Sequence, residues 1–165
     1  GQTRRLQTNE RVAFGDIIRS NGGIGGVLRL TDGSRIEMRA QSELTVERAD
    51  DGVRIRLGRG VIIVNAAKQR DGHLYVQTRD MTVSVVGTVF LVDAEEQGSR
   101  VAVIEGEVRV QHGTTEKKLL PGQQVTTSRA MATSPIALTP WPLNTSSNVV
   151  PMFRVFQTPP VAVAT

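Results

Sequence analysis

The residues able to do chemistry are few and widely spaced. His73 and His112 are the only two imidazoles in the 165-residue chain. Each sits in a turn-like context without a cluster of carboxylates nearby in sequence, which makes a poor start for a metal site. Asp50-Asp51-Gly52, and Asp93 with Glu95 and Glu96, offer oxygen ligands for calcium. Neither stretch has the alternating oxygen ligands of a calcium loop, so both read as solvated turns. The glycines of Asn21-Gly22-Gly23 and Gly25-Gly26 would suit a phosphate cradle if they opened a helix. They run instead into Val27-Leu28-Arg29-Leu30, a strand pattern, and no P-loop lysine follows. Serines and threonines are scattered through turns, and no nucleophile, base and orienting group share a recognisable spacing. With no cysteine, disulfides and thiolate sites are excluded. The expectation is a protein that is not an enzyme, with no cofactor and no metal.

The elements around these residues are strands. Leu28 and Leu30 alternate with Arg29; Ile36 and Met38 with Arg35, Glu37 and Arg39; Leu44 and Val46 with Glu43, Thr45 and Glu47; Val53, Ile55 and Leu57 with Arg54 and Arg56. This period of two marks sheets with one wet face. Thr31-Asp32-Gly33-Ser34 carries the Asp-Gly hairpin signal. Near the start, Arg11 to Ala13 reads as one strand and Ile17 to Arg19 as a second, with a Gly15-Asp16 turn between them. Gly58 and Gly60 bracket a further turn, after which Val61-Ile62-Ile63-Val64 is apolar on both faces and reads as a central strand.

Met81 to Val110 divides into four short runs of Val, Ile and Phe, broken by Gly87, by Asp93 to Ser99 and by Gly106. Gly within strand-like sequence points to a turn, a bulge or a close backbone approach. Asp32, Gly33, Gly60, Gly87, Thr88, Gly106 and Gly122 are therefore expected at structural turns. The sum is about a dozen short strands and no segment with a sustained helical period, an all-β fold. Periodicity alone leaves solenoid-like, sandwich-like and barrel arrangements open.

The chain divides into a β-domain over residues 1–128, with lead-in strands in 1–26, and a tail over 129–165. Residues 130–165 carry one charge, Arg154, but hold Trp141, Phe153 and Phe156, half of the six aromatics. Val149 to Phe156 reads as an extended C-terminal strand, apolar on nearly both faces, with Pro151 limiting it to pairing on one side. Trp141, Val149, Val150, Met152, Phe153, Val155 and Phe156 form a candidate interface. Two placements are open: the strand completes its own domain's sheet, or it crosses to a neighbour as a donated strand and builds a filament. Asn144-Thr145-Ser146 fits a glycosylation sequon, a pattern frequent by chance.

The net charge of +4 comes from bases interleaved with acids, and seventeen of the twenty basic residues are arginine. That interleaving suits solvated strand faces with cross-strand ion pairs better than a nucleic-acid footprint. No apolar run approaches the roughly 20 residues of a membrane helix. No signal peptide is visible at Gly1, although a mature chain would already have lost one, and a start without Met fits processing and trimming alike.

Between Val27 and Ser128 the sequence resembles the FecR domain family. The resemblance lies in Leu30-Thr31-Asp32-Gly33-Ser34 with Ser42-Glu43-Leu44, in Val53 to Gly60, in Val83 to Val92, in Val103 to Val110 and in Leu120-Pro121-Gly122-Gln123-Gln124. Gly15-Asp16-Ile17-Ile18-Arg19 is similar to sequence that often precedes the domain. The resemblance implies an extracytoplasmic, twisted, solenoid-like β-domain without catalytic residues. In the best-known members it is the periplasmic part of an anti-sigma regulator that relays occupancy of an outer-membrane siderophore receptor. The sequence departs from that plan by having no anti-sigma helices, no membrane helix and no recognisable signalling domain after the core. The function expected is an extracytoplasmic protein-interaction module of the periplasm, cell surface or secreted space. Its expected form is a self-assembling subunit that partners itself or another envelope protein through the tail. The alternatives are a FecR-type periplasmic sensor domain and an envelope or glycan binder.

Overall fold

The computed structural model describes residues 3–23, 25–68, 72–127, 137–140 and 162–164. In chain order the strands are β1 (Arg4–Arg5), β2 (Ile17–Ser20), β3 (Gly26–Arg29), β4 (Arg35–Met38), β5 (Glu43–Ala49), β6 (Gly52–Asn65), β7 (His73–Gln77), β8 (Thr82–Val85), β9 (Val89–Glu95), β10 (Gly98–Glu105), β11 (Val108–His112), β12 (Thr115–Leu119), β13 (Gln123–Thr126), β14 (Ala137–Pro140) and β15 (Ala162–Ala164). The fold is all-β, as the alternation requires.

The strands form two layers that share β6. One layer runs β1-β15-β2-β5-β6-β7-β8-β11-β12. The other runs β3-β4-β6-β9-β10-β13-β14. The first half of β6 pairs with β5 and β7, with Ile55 opposite Val46 and Val76. The second half pairs with β4 and β9, with Val64 opposite Ile36 and Phe90.

A chain-length argument shows why β6 must bend. Its 14 residues laid flat would span roughly 46 Å. Yet β7 returns to lie parallel to its start, Gly52 opposite His73, through a connection of residues 66–72 that reaches at most about 27 Å. The bend falls at Gly60, whose φ is +89°. A Cβ there would lie 2.2 Å from Ser42 Oγ and 2.6 Å from Ser42 Cα, so only glycine fits. The turn read at Gly58–Gly60 is thus a corner within one strand. Its two flanking runs never separate, because the ladder passes from one pair of neighbours to another without a loop.

The inner faces of the two layers make one core. Ile55, Leu44, Leu74, Val76, Val83 and Val110 from one layer meet Ile36, Met38, Ile62, Val64, Phe90 and Val101 from the other. A smaller cluster of Ile63, Leu91 and Ala102 lies apart from it. Successive strand residues point to opposite faces, so Ile62 and Ile63 each meet apolar neighbours and the run does not alternate.

Arg11 to Ala13 are irregular rather than a strand. Asp16 supplies the reason: its carboxylate accepts the Ala13 N–H at 3.1 Å, and Asp16 N donates to Ala13 O at 3.2 Å, closing a tight turn. Val149 to Phe156 and Trp141 lie outside the described residues. The two described pieces of the tail pair in cis: β14 lies antiparallel to β13, and β15 lies between β1 and β2.

Candidate interaction site

Where the chain crosses between layers, hydroxyl side chains replace ladder hydrogen bonds. Ser42 Oγ accepts the Val61 N–H at 3.0 Å and lies 3.1 Å from Val61 O, closing the bend of β6. Ser20 Oγ accepts Ser42 N–H at 2.9 Å and donates to Arg39 O at 2.5 Å. Both serines are buried, so each main-chain group they serve would otherwise be stranded away from water.

A second tie centres on Asp80. Its Oδ1 accepts from Ser99 Oγ at 2.5 Å and Thr78 Oγ1 at 3.0 Å, and its Oδ2 accepts from Thr127 Oγ1. His112 Nδ1 lies 2.7 Å from the Asp80 carbonyl oxygen. Burial pushes the Asp80 carboxyl up, but the three hydroxyls outweigh it and hold the group below the usual carboxylate range. One carboxylate thereby joins the β7–β8 turn, β10 and the end of β13.

The turn residues take these positions. Asp32 accepts the Ser34 N–H at 2.8 Å and its hydroxyl at 2.9 Å, and Ser34 Oγ accepts Ala67 N–H at 3.0 Å. Gly33, Gly87, Gly106 and Gly122 have φ of +91°, +66°, +85° and +83°. Thr88 Oγ1 donates to Glu107 O at 2.9 Å, tying the start of β9 to the turn before β11. None of these forms a chemical site.

His73 is not isolated. Asp51 Oδ2 lies 3.0 Å from its Nδ1 and accepts from Tyr75 Oη at 2.8 Å. The parallel pairing of β6 and β7 brings these groups together across a sequence gap that hides them. The Tyr75 hydrogen bond lowers the Asp51 pKa and raises that of Tyr75. Among the described residues no three His, Cys, Asp or Glu side chains converge as a metal site would require.

A cavity of about 810 Å³ lies between residues 6–14 and the β3 side of the sandwich. Its floor includes Leu6, Ile18, Leu28 and Val46. Phe14 stands at the lip, 48% exposed, with the Arg48 guanidinium 4.9 Å from its ring centre. Arg11, Arg29 and Arg35 line it, and the lining acid, Glu10, is already ion-paired with Arg4. Arg35 Nη2 holds Glu37 at 2.9 Å, while its Nε is buried without a hydrogen-bond partner among the described residues. Burial raises the Glu37 pKa against the opposing pull of Arg35. Sequence reading missed this cavity because its walls are about 20 residues apart in the chain. The signal available was Arg29 and Arg35, each flanking an apolar strand position, with Arg11 beside Val12.

Two layers sharing one bent strand, with hydroxyl ties at the crossings, define an all-β domain. The chain belongs to the FecR family: the FecR protein family model matches residues 16–109, more than half of the 165 residues. The β3 wall of the cavity lies inside that span and residues 6–14 precede it. No curated protein matches the sequence. Two crystal structures of candidate anti-sigma factors from Parabacteroides distasonis ATCC 8503 share the fold. One superposes with a TM-score of 0.70 at 22% identity, covering 81% of this chain and 64% of the other. The second gives 0.68 at 23%, covering 75% and 59%. The chain thus spans about three fifths of the length of these relatives.

Proposed function

We propose that this chain is the extracytoplasmic regulatory domain of an anti-sigma-type signalling protein, and that it acts by contacting protein partners without catalysis. The observation that carries this reading is the FecR match across residues 16–109. The fold likeness to candidate anti-sigma factors supports it. That match and that likeness favour regulation over a self-assembling filament. No helix among the described residues is long and apolar enough to cross a membrane.

The test is made in the source cells. A photo-crosslinking amino acid placed at Phe14 or Leu120, both exposed, should trap a second envelope protein. Deleting the gene should alter transcription from promoters of one extracytoplasmic-function sigma factor. Unchanged transcription, with adducts only to the protein itself, would favour the assembly reading and remove the regulatory one.

A further inference from the structure

The third strand is an open edge, and its geometry is specific. Among the described residues β3 pairs only with β4. Leu30 N donates to Ser34 O at 2.8 Å, which sets the alternation along this antiparallel pair. Leu28 and Gly26 therefore turn their main-chain groups toward β4. Val27 and Arg29 turn theirs outward, where both residues border the 810 Å³ cavity. Unpaired strand edges are templates for another strand, and proteins commonly blunt them with charge or proline. The β12 edge carries Glu116, Lys117 and Lys118, all exposed. β3 has the sequence Gly-Val-Leu-Arg, with a groove beside it in place of such a guard.

The charge around this edge selects the occupant. Arg11, Arg29 and Arg35 line the groove, Glu10 is spent on Arg4, and Arg35 Nε lacks an acceptor among the described residues. Leu6, Ile18, Leu28 and Val46 supply an apolar floor. Alternating side chains on an added strand would send one set to that floor and the other to the arginines. A second copy of β3, Gly-Val-Leu-Arg, fits badly, since it would bring another arginine and no carboxylate to a groove already lined by Arg11, Arg29 and Arg35.

We propose that the outward edge of β3 and the adjoining groove dock an extended segment of a partner protein in which apolar and acidic residues alternate. The segment hydrogen-bonds the main chain of Val27 and Arg29, and its carboxylates meet Arg11, Arg29 and Arg35. This deepens the regulatory reading and rests on it for the partner being a protein.

The probe is a fluorescein-labelled peptide of alternating glutamate and valine, titrated against the full chain by anisotropy. A lysine–valine peptide serves as control. Binding of the acidic peptide alone is expected, weakening about tenfold in Val27→Pro, which deletes one outward N–H and no bond to β4. Circular dichroism and the melting temperature check that this variant folds. Should it not fold, hydrogen exchange on the parent decides: the Val27 and Arg29 amides should exchange quickly alone and slowly with peptide. The double variant Arg11→Glu, Arg29→Glu should reverse the preference between the two peptides. Equal binding of both peptides, or undiminished binding by folded Val27→Pro, overturns the proposal. So do amides already protected in the free chain, which would mean the chain covers its own edge, or binding of laurate but not of the acidic peptide. Envelope crosslinks that persist in Val27→Pro would retire this docking edge and leave the regulatory reading standing.

Discussion

Asp80 shows how a single carboxylate can brace three strands. Its pKa is lowered in the folded protein, so its contribution is present above the unfolded value near 4 and lost as pH falls through the folded one. Asp80→Asn should cost about 2 kcal/mol at pH 7, because three buried or half-buried hydroxyls lose a charged acceptor. At pH 3 the penalty should shrink, and urea unfolding at the two pH values measures the difference. An equal penalty at both would mean that the charge is irrelevant. Gly60 and Gly15 make a matched pair, with φ of +89° and +90°. A Cβ on Gly15 meets nothing within 4 Å, whereas one on Gly60 strikes Ser42. Gly15→Ala should therefore cost about 1 kcal/mol from backbone strain alone. Gly60→Ala should cost at least about 2 kcal/mol more, from displacing Ser42 and its bonds to Val61. Denaturant midpoints of the two variants give the comparison.

At the scale of elements, the β3 and β12 edges behave as opposites. β12 is guarded by Glu116, Lys117 and Lys118, which cross-strand pairing sets beside β11. Replacing Lys117 and Lys118 with threonine should leave the fold intact while promoting association, seen as a rise in light-scattering mass with concentration. A variant that stays monomeric would show that the lysines do not guard the edge. Sequence patterns were most legible for strands with local partners. Met81 to Val110 divides into β8, β9, β10 and β11: the turn at Glu96 and Gln97 joins the paired strands β9 and β10, and Gly87 and Gly106 mark the crossings between layers. The bend of β6 was not legible, since Gly58 and Gly60 look the same in a loop and in a corner. What separates the two is Ser42, a residue on another strand. Arg11 to Ala13 misled for the converse reason: their alternation is real, but the Asp16 carboxylate captures the local N–H and closes a turn.

At the scale of the whole molecule, the FecR signature was readable in blocks spread through the chain, while the cavity depended on how distant blocks meet. The residues nominated as an interface, Trp141 and Val149 to Phe156, rest on composition and lie outside the described residues. The described pieces on either side of them, β14 and β15, pair with β13 and with β1 and β2 of the same chain. The continuity of β6 carries a further consequence. Ile55 and Val64 stand in different layers but on one uninterrupted strand, and β6 has no loop at which one layer could be released while the other persists. The two layers should then open as a single foldon. Native-state hydrogen exchange at low denaturant should give the Ile55 and Val64 amides the same opening free energy. Different values would mean that the bend at Gly60 divides the protein after all. If the layers do open together, strain applied at the β3 edge cannot relax by melting one layer and must be borne by the whole domain.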